Sequence, residues 1–564
     1  MAELRSNLPV GSSRWATRRA QWLSLGISDE DMAKPKIAIV NSSSDLASCF
    51  AHLDGIVGPL KQAIREAGGL AFEVRTAAPS DFITSAGKDG RYILPTRDLI
   101  AADIEVAVEG AQLDGMICLA SCDKTGPGQL MAAARLNIPT IIVACGYQAS
   151  GSYQGRHCDI EDVFLAAGHV ASGSLSAAEL TEMSSCAVLS PGVCAGFGTA
   201  NTMHLACEAL GMALPGSTPV RANSEPMWRA VDAAGERIVA MVADDLKPRD
   251  VMTTGAFRNA VTSILSISGS INSVKHLQAV AAETENGTDV YRLFETLADD
   301  VPLLSEIRPN GETPIEEFED AGGTRALMKQ LEPLLDGEAR TVTGRTVAEN
   351  LAGATVADDE TIRPPARALG RRPTIVLIRG SLCPDVGIVK LAVADDRRLE
   401  FAGPAKVFES AQHALDGVKA GLVEPGQVVV LRGLGVTGSP GMGMASALVF
   451  ALDGANLTGQ VAVVTDGQLS GLVNKGIVVG EISPEAAAGG PLGLVRDGDM
   501  IRIDVLGRTA DLDVPADELA ARKAELAASP PARPAEVGWL SVYQRLVRPL
   551  PDGAVLRPKA KESA

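Results

Sequence analysis

The 564-residue chain lacks any run of about 18 apolar residues, the length a helix needs to cross a bilayer, so no membrane span is expected. It has no CxxC pair, so the local spacing of a structural zinc site is absent. Its cysteines number nine, an odd count that argues against a disulfide framework in a large chain. Positive charge is scarce: 51 Lys and Arg face 69 Asp and Glu, for a net charge of −18. Nucleic acid needs a basic face, so it is not expected as a partner. No internal repeat or low-complexity segment occurs. The stretch 1–19 has no apolar h-region, so no signal peptide is expected and a cytoplasmic location is. What is present is 46% hydrophobic residues, the composition of a well-buried enzyme of two or three domains.

Apolar runs alternate with helical patterns through the first third. A strand at 36–40 leads to a loop ending in Cys49, then to a helix over 51–67. A strand at 71–75 leads to Asp81. A strand at 115–120 leads into Ser121-Cys122-Asp123-Lys124, and a helix over 129–136 follows with Pro127 near its first turn. Another strand covers 138–145. This alternation predicts a doubly wound parallel sheet. Residues 225–350 read as mostly helical. Residues 354–373, rich in charge and proline, read as a linker. Beyond them strand-like runs recur at 374–378, 386–392, 427–431, 460–464, 501–505 and 510–514. The expected fold is α/β: an N-terminal doubly wound parallel-sheet region with added helices, plus a C-terminal β-rich, barrel-like domain. The expected division is an arm at 1–35 with Trp15 and Trp22 on a helix, a first domain at 36–353, the linker, and a second domain at 374–564 ending in a helical tail.

Cys49, Asp81 and Cys122 each follow a strand at the same kind of turn, so parallel strands gather them on one sheet edge. Cys194, between Gly192 and Gly196, is a fourth candidate. Soft thiolates beside hard carboxylates suggest two different metals close together. Cys49, Cys122 and Cys194 suit one iron–sulfur cluster with an open iron position, a Lewis acid. Asp81 and Asp123 suit Mg²⁺. On residues alone a blander reading stands beside this one: three unrelated buried thiols, two solvated turn acids, and Lys124 as the ion-pair partner of one acid. Cys118, Cys145 and Cys207 fall in apolar patterns and are assigned to cores. Gly433 to Gly438 fits G-x-G-x-x-G, with Asp453 at a plausible ribose distance, a signature of nucleotide-dependent oxidoreductases. Ser439-Pro440-Gly441 then delays the helix that would receive a pyrophosphate. Ser470 sits in a Gly-flanked turn with no His nearby, so a Ser-His-Asp hydrolase is unsupported. Five histidines lie on helical patterns; His157, in a loop, is a candidate substrate contact.

The chain resembles the family of dihydroxy-acid, sugar-acid (aldonate) and phosphogluconate dehydratases, from about Ser12 to the tail. The resemblance is carried by Asn41-Ser42 through Asp45, Cys49 and His52-Leu53; by Leu94-Pro95-Thr96-Arg97, Ser121-Cys122-Asp123-Lys124 and Pro127-Gly128; and by Cys194 with Thr199-Ala200-Asn201-Thr202-Met203. Gly403-Pro404-Ala405, Pro440-Gly441-Met442, Thr465-Asp466-Gly467, Ser470-Gly471 and Ser483-Pro484-Glu485-Ala486 complete it. It implies a hydro-lyase that removes water from a 2,3-dihydroxy carboxylate to give a 2-keto acid. It implies a cluster on Cys49, Cys122 and Cys194, of the [2Fe–2S] branch because position 49 is a cysteine. It implies Mg²⁺ on Asp81, Asp123 and Lys124, the last as its carbamate, and Ser470 as the base for the C2 proton. Thr199, Tyr147 and Ser470 are the expected substrate contacts. The implied partner is a small anionic hydroxy acid, and the implied assembly a homodimer or homotetramer.

Two departures stand out. Met444 occupies the position where the family usually has a glutamate ligand of Mg²⁺, and a thioether is a poor ligand for that ion. Another water, Glu481 or Asp466 are the candidate replacements, and a repurposed iron–sulfur protein is the alternative function this departure raises. Cys145-Gly146-Tyr147-Gln148 stands where branched-chain pathway enzymes tend to have Gly-Gly-Pro-Met. Its added hydrogen-bonding groups lean toward a sugar acid, with the branched dihydroxy acid as alternative.

Overall fold

The computed structural model describes residues 4–393, 398–470, 473, 476–528 and 535–556. Four parallel strands, β1 (Lys36–Asn41), β2 (Leu70–Arg75), β3 (Gly115–Ala120) and β4 (Thr140–Ala144), form one sheet in the order β2-β1-β3-β4. Ile37 pairs with Ala71 on one side and with Gly115 on the other. β1, β3 and β4 are buried along their whole length, as their unbroken apolar runs require when helices cover both faces. The helix Leu53–Glu66 follows β1, and the helix Thr125–Leu136 follows β3. The latter begins four residues before the spacing predicts. Pro127 lies in its first turn, where a missing N–H costs no hydrogen bond. A short hairpin, β5 (Gly151–Tyr153) and β6 (Arg156–Cys158), precedes a run of helices from Ile160 to Leu351.

The second sheet has eight strands: β7 (Ile375–Ile378), β8 (Val386–Lys390), β9 (Glu400–Phe408), β10 (Val428–Leu431), β11 (Ala462–Thr465), β12 (Ile477–Ser483), β13 (Met500–Asp504) and β14 (Thr509–Asp513). Their order is β14-β13-β9-β10-β11-β12-β8-β7. The two outer strands nearly close the ring, since Ala510 N donates to Arg379 O at 2.8 Å. β9 and β12 were not among the expected strands. Gly403-Pro404 inside β9 reads as a turn, and β12 carries an irregularity between Gly480 and Ser483.

Side-chain alternation divides the apolar residues between two cores. Val428 and Val430 point into the barrel with Val376, Ile378, Val464 and Ile501. Val429, Leu431 and Val463 join Ile37, Ile117 and the helices of the first sheet in one continuous core. The two sheets therefore share buried surface. The segment 354–373 is pinned rather than loose: Leu303 N donates to Gly370 O, Arg363 N to Leu304 O, and Ile362 is fully buried. Near the N-terminus Trp22 stacks on Phe72 of β2, with ring centroids 4.9 Å apart. Among the described residues no helix is long and apolar enough to cross a membrane.

Candidate active site

β1 and β3 are neighbours whose connections lead to opposite sides of the sheet, and a crevice opens at the carboxyl ends of such strands. Cys49 follows β1, Asp81 follows β2 and Cys122 follows β3. Side-chain hydrogen bonds to backbone carbonyls hold these turns. Ser121 Oγ donates to Cys49 O, and Thr125 Oγ1 to Cys122 O at 2.9 Å. His204 Nε2 lies 3.0 Å from Ser121 O, and His52 Nε2 lies 2.7 Å from Cys145 O. Gly192 N donates to Ser48 O, which brings the Cys194 loop alongside. Asn201 Nδ2 donates to Cys194 O and to Gly196 O, both at 2.8 Å, and fixes that loop from the helix Thr199–Ala209.

These loops line a cavity together with turns of the second sheet. Cys122, Cys194, Asp81, Asp123, Thr199 and Ser470 line it, as do Glu161, Asn272, Gln468 and Met444. Phe82, Phe164 and Ile93 form an apolar wall. Cys49 is buried next to Cys122, and the two thiols hydrogen bond. That contact, burial and the nearby carboxylates hold the Cys122 thiol well above its usual range. Burial, then Glu161 and Asp123, do the same to Cys194. Burial and Asp81 push Asp123 up to about 7. Lys124 is fully buried; its Nζ donates to Asp81 Oδ2 at 2.9 Å and stands 3.8 Å from Asp123. Burial alone would lower its pKa, but the two aspartates outweigh this and raise it. Thr199 hydrogen bonds to Asp123 and accepts from Asn272 Nδ2 at 2.9 Å.

The donor chemistry fits the two metal groups that the resemblance implies. Three thiols converge on one side: Cys49 and Cys122 are in contact, and Cys49 is close enough to Cys194 to act on its charge. On the other side Asp81 Oδ1 is buried without a hydrogen-bond partner, beside Asp123 and Lys124. Buried carboxylates left this way cost free energy unless a cation satisfies them.

Other expected contacts lie elsewhere. Tyr147 does not line the cavity: it is buried and its hydroxyl donates to Glu319. Gln148 is buried as well. His157 pairs with Asp159 at 3.0 Å outside the cavity. His157, Asp159 and Asp162 cluster closely enough for an ion, but Arg308 already binds Asp162 at 2.7 Å and the Asp159 carboxylate caps a helix. The amides of the 433–438 loop are spent on protein carboxylates: Gly433 N and Leu434 N donate to Asp466, and Thr437 N to Glu485. Those three amides are not available to cradle a pyrophosphate. Met444 is in the cavity wall, bridged to Gln468. Asp466 is committed to that backbone cradle, and Glu481 is ion-paired with Lys275. Gly471, quoted with Ser470, lies outside the described residues.

Glu161, Asn272 and Gln468 line the cavity without having been singled out. Asp159-Ile160-Glu161-Asp162 reads as the acidic first turn of a helix, which it is. Nothing local signals that one of its acids faces a cavity.

A family model described as dihydroxy-acid/6-phosphogluconate dehydratase N-terminal matches residues 34–350, and its C-terminal counterpart matches 360–554. The dihydroxy-acid dehydratase of Caldicellulosiruptor saccharolyticus is 37% identical over 555 residues, covering 98% of this chain and all of that protein. That of Methanothermobacter thermautotrophicus is 38% identical over 542 residues, 96% of this chain and 98% of the relative. That of Methanococcoides burtonii is 36% identical over 553 residues, 97% of this chain and 99% of the relative. The protein is an enzyme of the hydro-lyase class. It belongs to the dihydroxy-acid/6-phosphogluconate dehydratase family, and membership implies a metal cofactor of the iron–sulfur type.

Proposed function

We propose that this enzyme dehydrates a 2,3-dihydroxy carboxylate to a 2-keto acid, using a [2Fe–2S] cluster and Mg²⁺ in the cavity between the two sheets. The observation that carries the reading is that Cys122, Cys194, Asp81, Asp123 and Ser470 line one cavity, with Cys49 against Cys122 and the buried Lys124 against Asp81 directly behind them. Cys49, Cys122 and Cys194 would hold the cluster; Asp81, Asp123 and Lys124, the last as its carbamate, would hold Mg²⁺. When bound, the cation supplies charge stabilisation for a developing enolate and the cluster a Lewis acid for the leaving hydroxyl. The chain does the rest. Ser470 Oγ, having lost its own proton to solvent as the alkoxide that neighbouring cations would favour, takes the C2 proton, and Ser470 N, donating to Ser446 Oγ at 2.6 Å, fixes its turn. Thr199 and Asn272, already joined to each other, orient the substrate end beside Asp123. Phe82, Phe164 and Ile93 exclude water, which strengthens every polar contact inside. The enol product then tautomerises to the keto acid.

The same proposal includes an arm at 1–35, domains at 36–353 and 374–564 with the linker between, a cytoplasmic location, and a homodimer or homotetramer. The two family matches, 34–350 and 360–554, support the division.

Anaerobically purified protein tests the reading. Brown colour with iron, and 2-keto acid formed from a 2,3-dihydroxy acid only when Mg²⁺ is present, are expected. Cys122→Ser or Cys194→Ser should bleach the colour and abolish turnover. A colourless, folded, active wild type overturns the cluster. A coloured protein inactive on every dihydroxy acid supports the repurposed-protein alternative.

A further inference from the structure

Glu161 is 4% exposed and lines the same cavity as the reactive groups, yet its Oε2 has no hydrogen-bond partner. Its carboxyl lies against the loop that follows Cys194. A methyl added at Gly198 would stand 2.7 Å from Oε1, and one at Gly196 would stand 3.0 Å from Oε2. Two glycines therefore leave the room this carboxyl fills. Phe82, Phe164 and Ile93 line the same cavity, and no protein group donates to Glu161 Oε2.

An unsatisfied buried polar group costs about 1–3 kcal/mol, which a donor entering with the substrate recovers. In either protonation state a carboxyl oxygen accepts from a hydroxyl. The reacting hydroxyls at C2 and C3 are taken up by the reaction itself, with C3 toward the thiols. Glu161 sits against the loop that follows Cys194, so a further hydroxyl of the substrate is the donor left to meet it. Tyr147, whose hydroxyl donates to Glu319, and Gln148 are not among the residues that line the cavity.

We propose that Glu161 is a specificity-determining residue whose carboxyl accepts a hydrogen bond from a substrate hydroxyl beyond C3, selecting a polyhydroxy acid over a branched aliphatic dihydroxy acid. A site built for a substrate hydroxyl rejects an analogue lacking it by far more than a hydrophobic pocket rejects an extra methylene, because the buried acceptor is left unpaired. This rests on the dehydratase reading above.

The test compares kcat/KM of the holoenzyme for a panel of five- and six-carbon aldonates and for 2,3-dihydroxy-3-methylbutanoate. Wild type, Glu161→Gln and Glu161→Leu are assayed, with the visible spectrum and thermal melting as checks on cluster and fold. The wild type is expected to prefer an aldonate. Glu161→Leu should lower kcat/KM for it about 100-fold or more, leaving the branched acid unchanged or improved, and Glu161→Gln should fall between. A wild type that prefers the branched acid overturns the proposal, whether or not either variant folds. So does an equal loss on both substrates. A coloured wild type inactive on all of them overturns the dehydratase reading instead.

Discussion

Lys124 Nζ and Asp81 Oδ2 meet at 2.9 Å across two βα turns, so that one fully buried ammonium serves both Asp81 and Asp123. A divalent cation at the same carboxylates would repel that ammonium. Loss of one proton from the ammonium, then addition of CO₂ to the neutral amine with an N–C bond formed and a second proton released, would replace the positive charge with an anionic oxygen donor. Mg²⁺ affinity is therefore expected to weaken about tenfold when CO₂ and bicarbonate are stripped, because one anionic ligand is lost, and to return when bicarbonate is restored. Isothermal titration measures this. Equal affinity in both conditions would rule out the carbamate.

Lys275, on the helix Asn272–Thr284, and Glu481, on β12, form an ion pair with both side chains fully buried. Lys275 also donates to Asn272, which lines the active-site cavity. Glu481→Gln leaves a buried ammonium without its counter-charge and is expected to cost about 3–5 kcal/mol. Adding Lys275→Met should recover most of that loss. Thermal and denaturant unfolding of the single and double variants are the measurement, and additive losses would mean that the pair is not coupled.

His204 holds the Ser121 carbonyl from a buried position, and burial lowers its pKa from the ordinary 6.5 to about 4. The folded state thus binds fewer protons than the unfolded state between these values. The stability this contributes is fully present above about pH 6.5 and is lost as pH falls through about 4, roughly 3 kcal/mol in all. Melting curves from about pH 7 down to about pH 4 should fall more steeply for the wild type than for His204→Gln. Parallel curves would show that His204 does not titrate this way.

Much of this was legible because it is local. Continuous apolar runs fixed β1, β3 and β4, and the turns after the first three strands displayed Cys49, Asp81 and Cys122 at equivalent places. Cys194 was legible from the glycines around it. β9 was hidden by Gly403-Pro404, since turn-forming residues inside a strand outweigh its alternation when read locally. Tyr147 and Glu161 were misplaced or missed for a common reason: which face of a buried loop meets a cavity depends on what packs behind it. Glu319 takes the Tyr147 hydroxyl, and nothing takes Glu161 Oε2.

By itself the sequence determined the α/β class, the parallel sheet and the set of thiols and carboxylates at its edge. Strand period, turn position and ligand type are properties of neighbouring residues. Only the tertiary structure decided that the turns of the second sheet bring Ser470, Gln468 and Met444 over that edge. Only it decided that Asp466 and Glu481 are committed elsewhere, and that Glu161 faces inward. Those outcomes depend on how residues hundreds of positions apart share one buried volume, where each polar group either finds a partner or is left for a ligand.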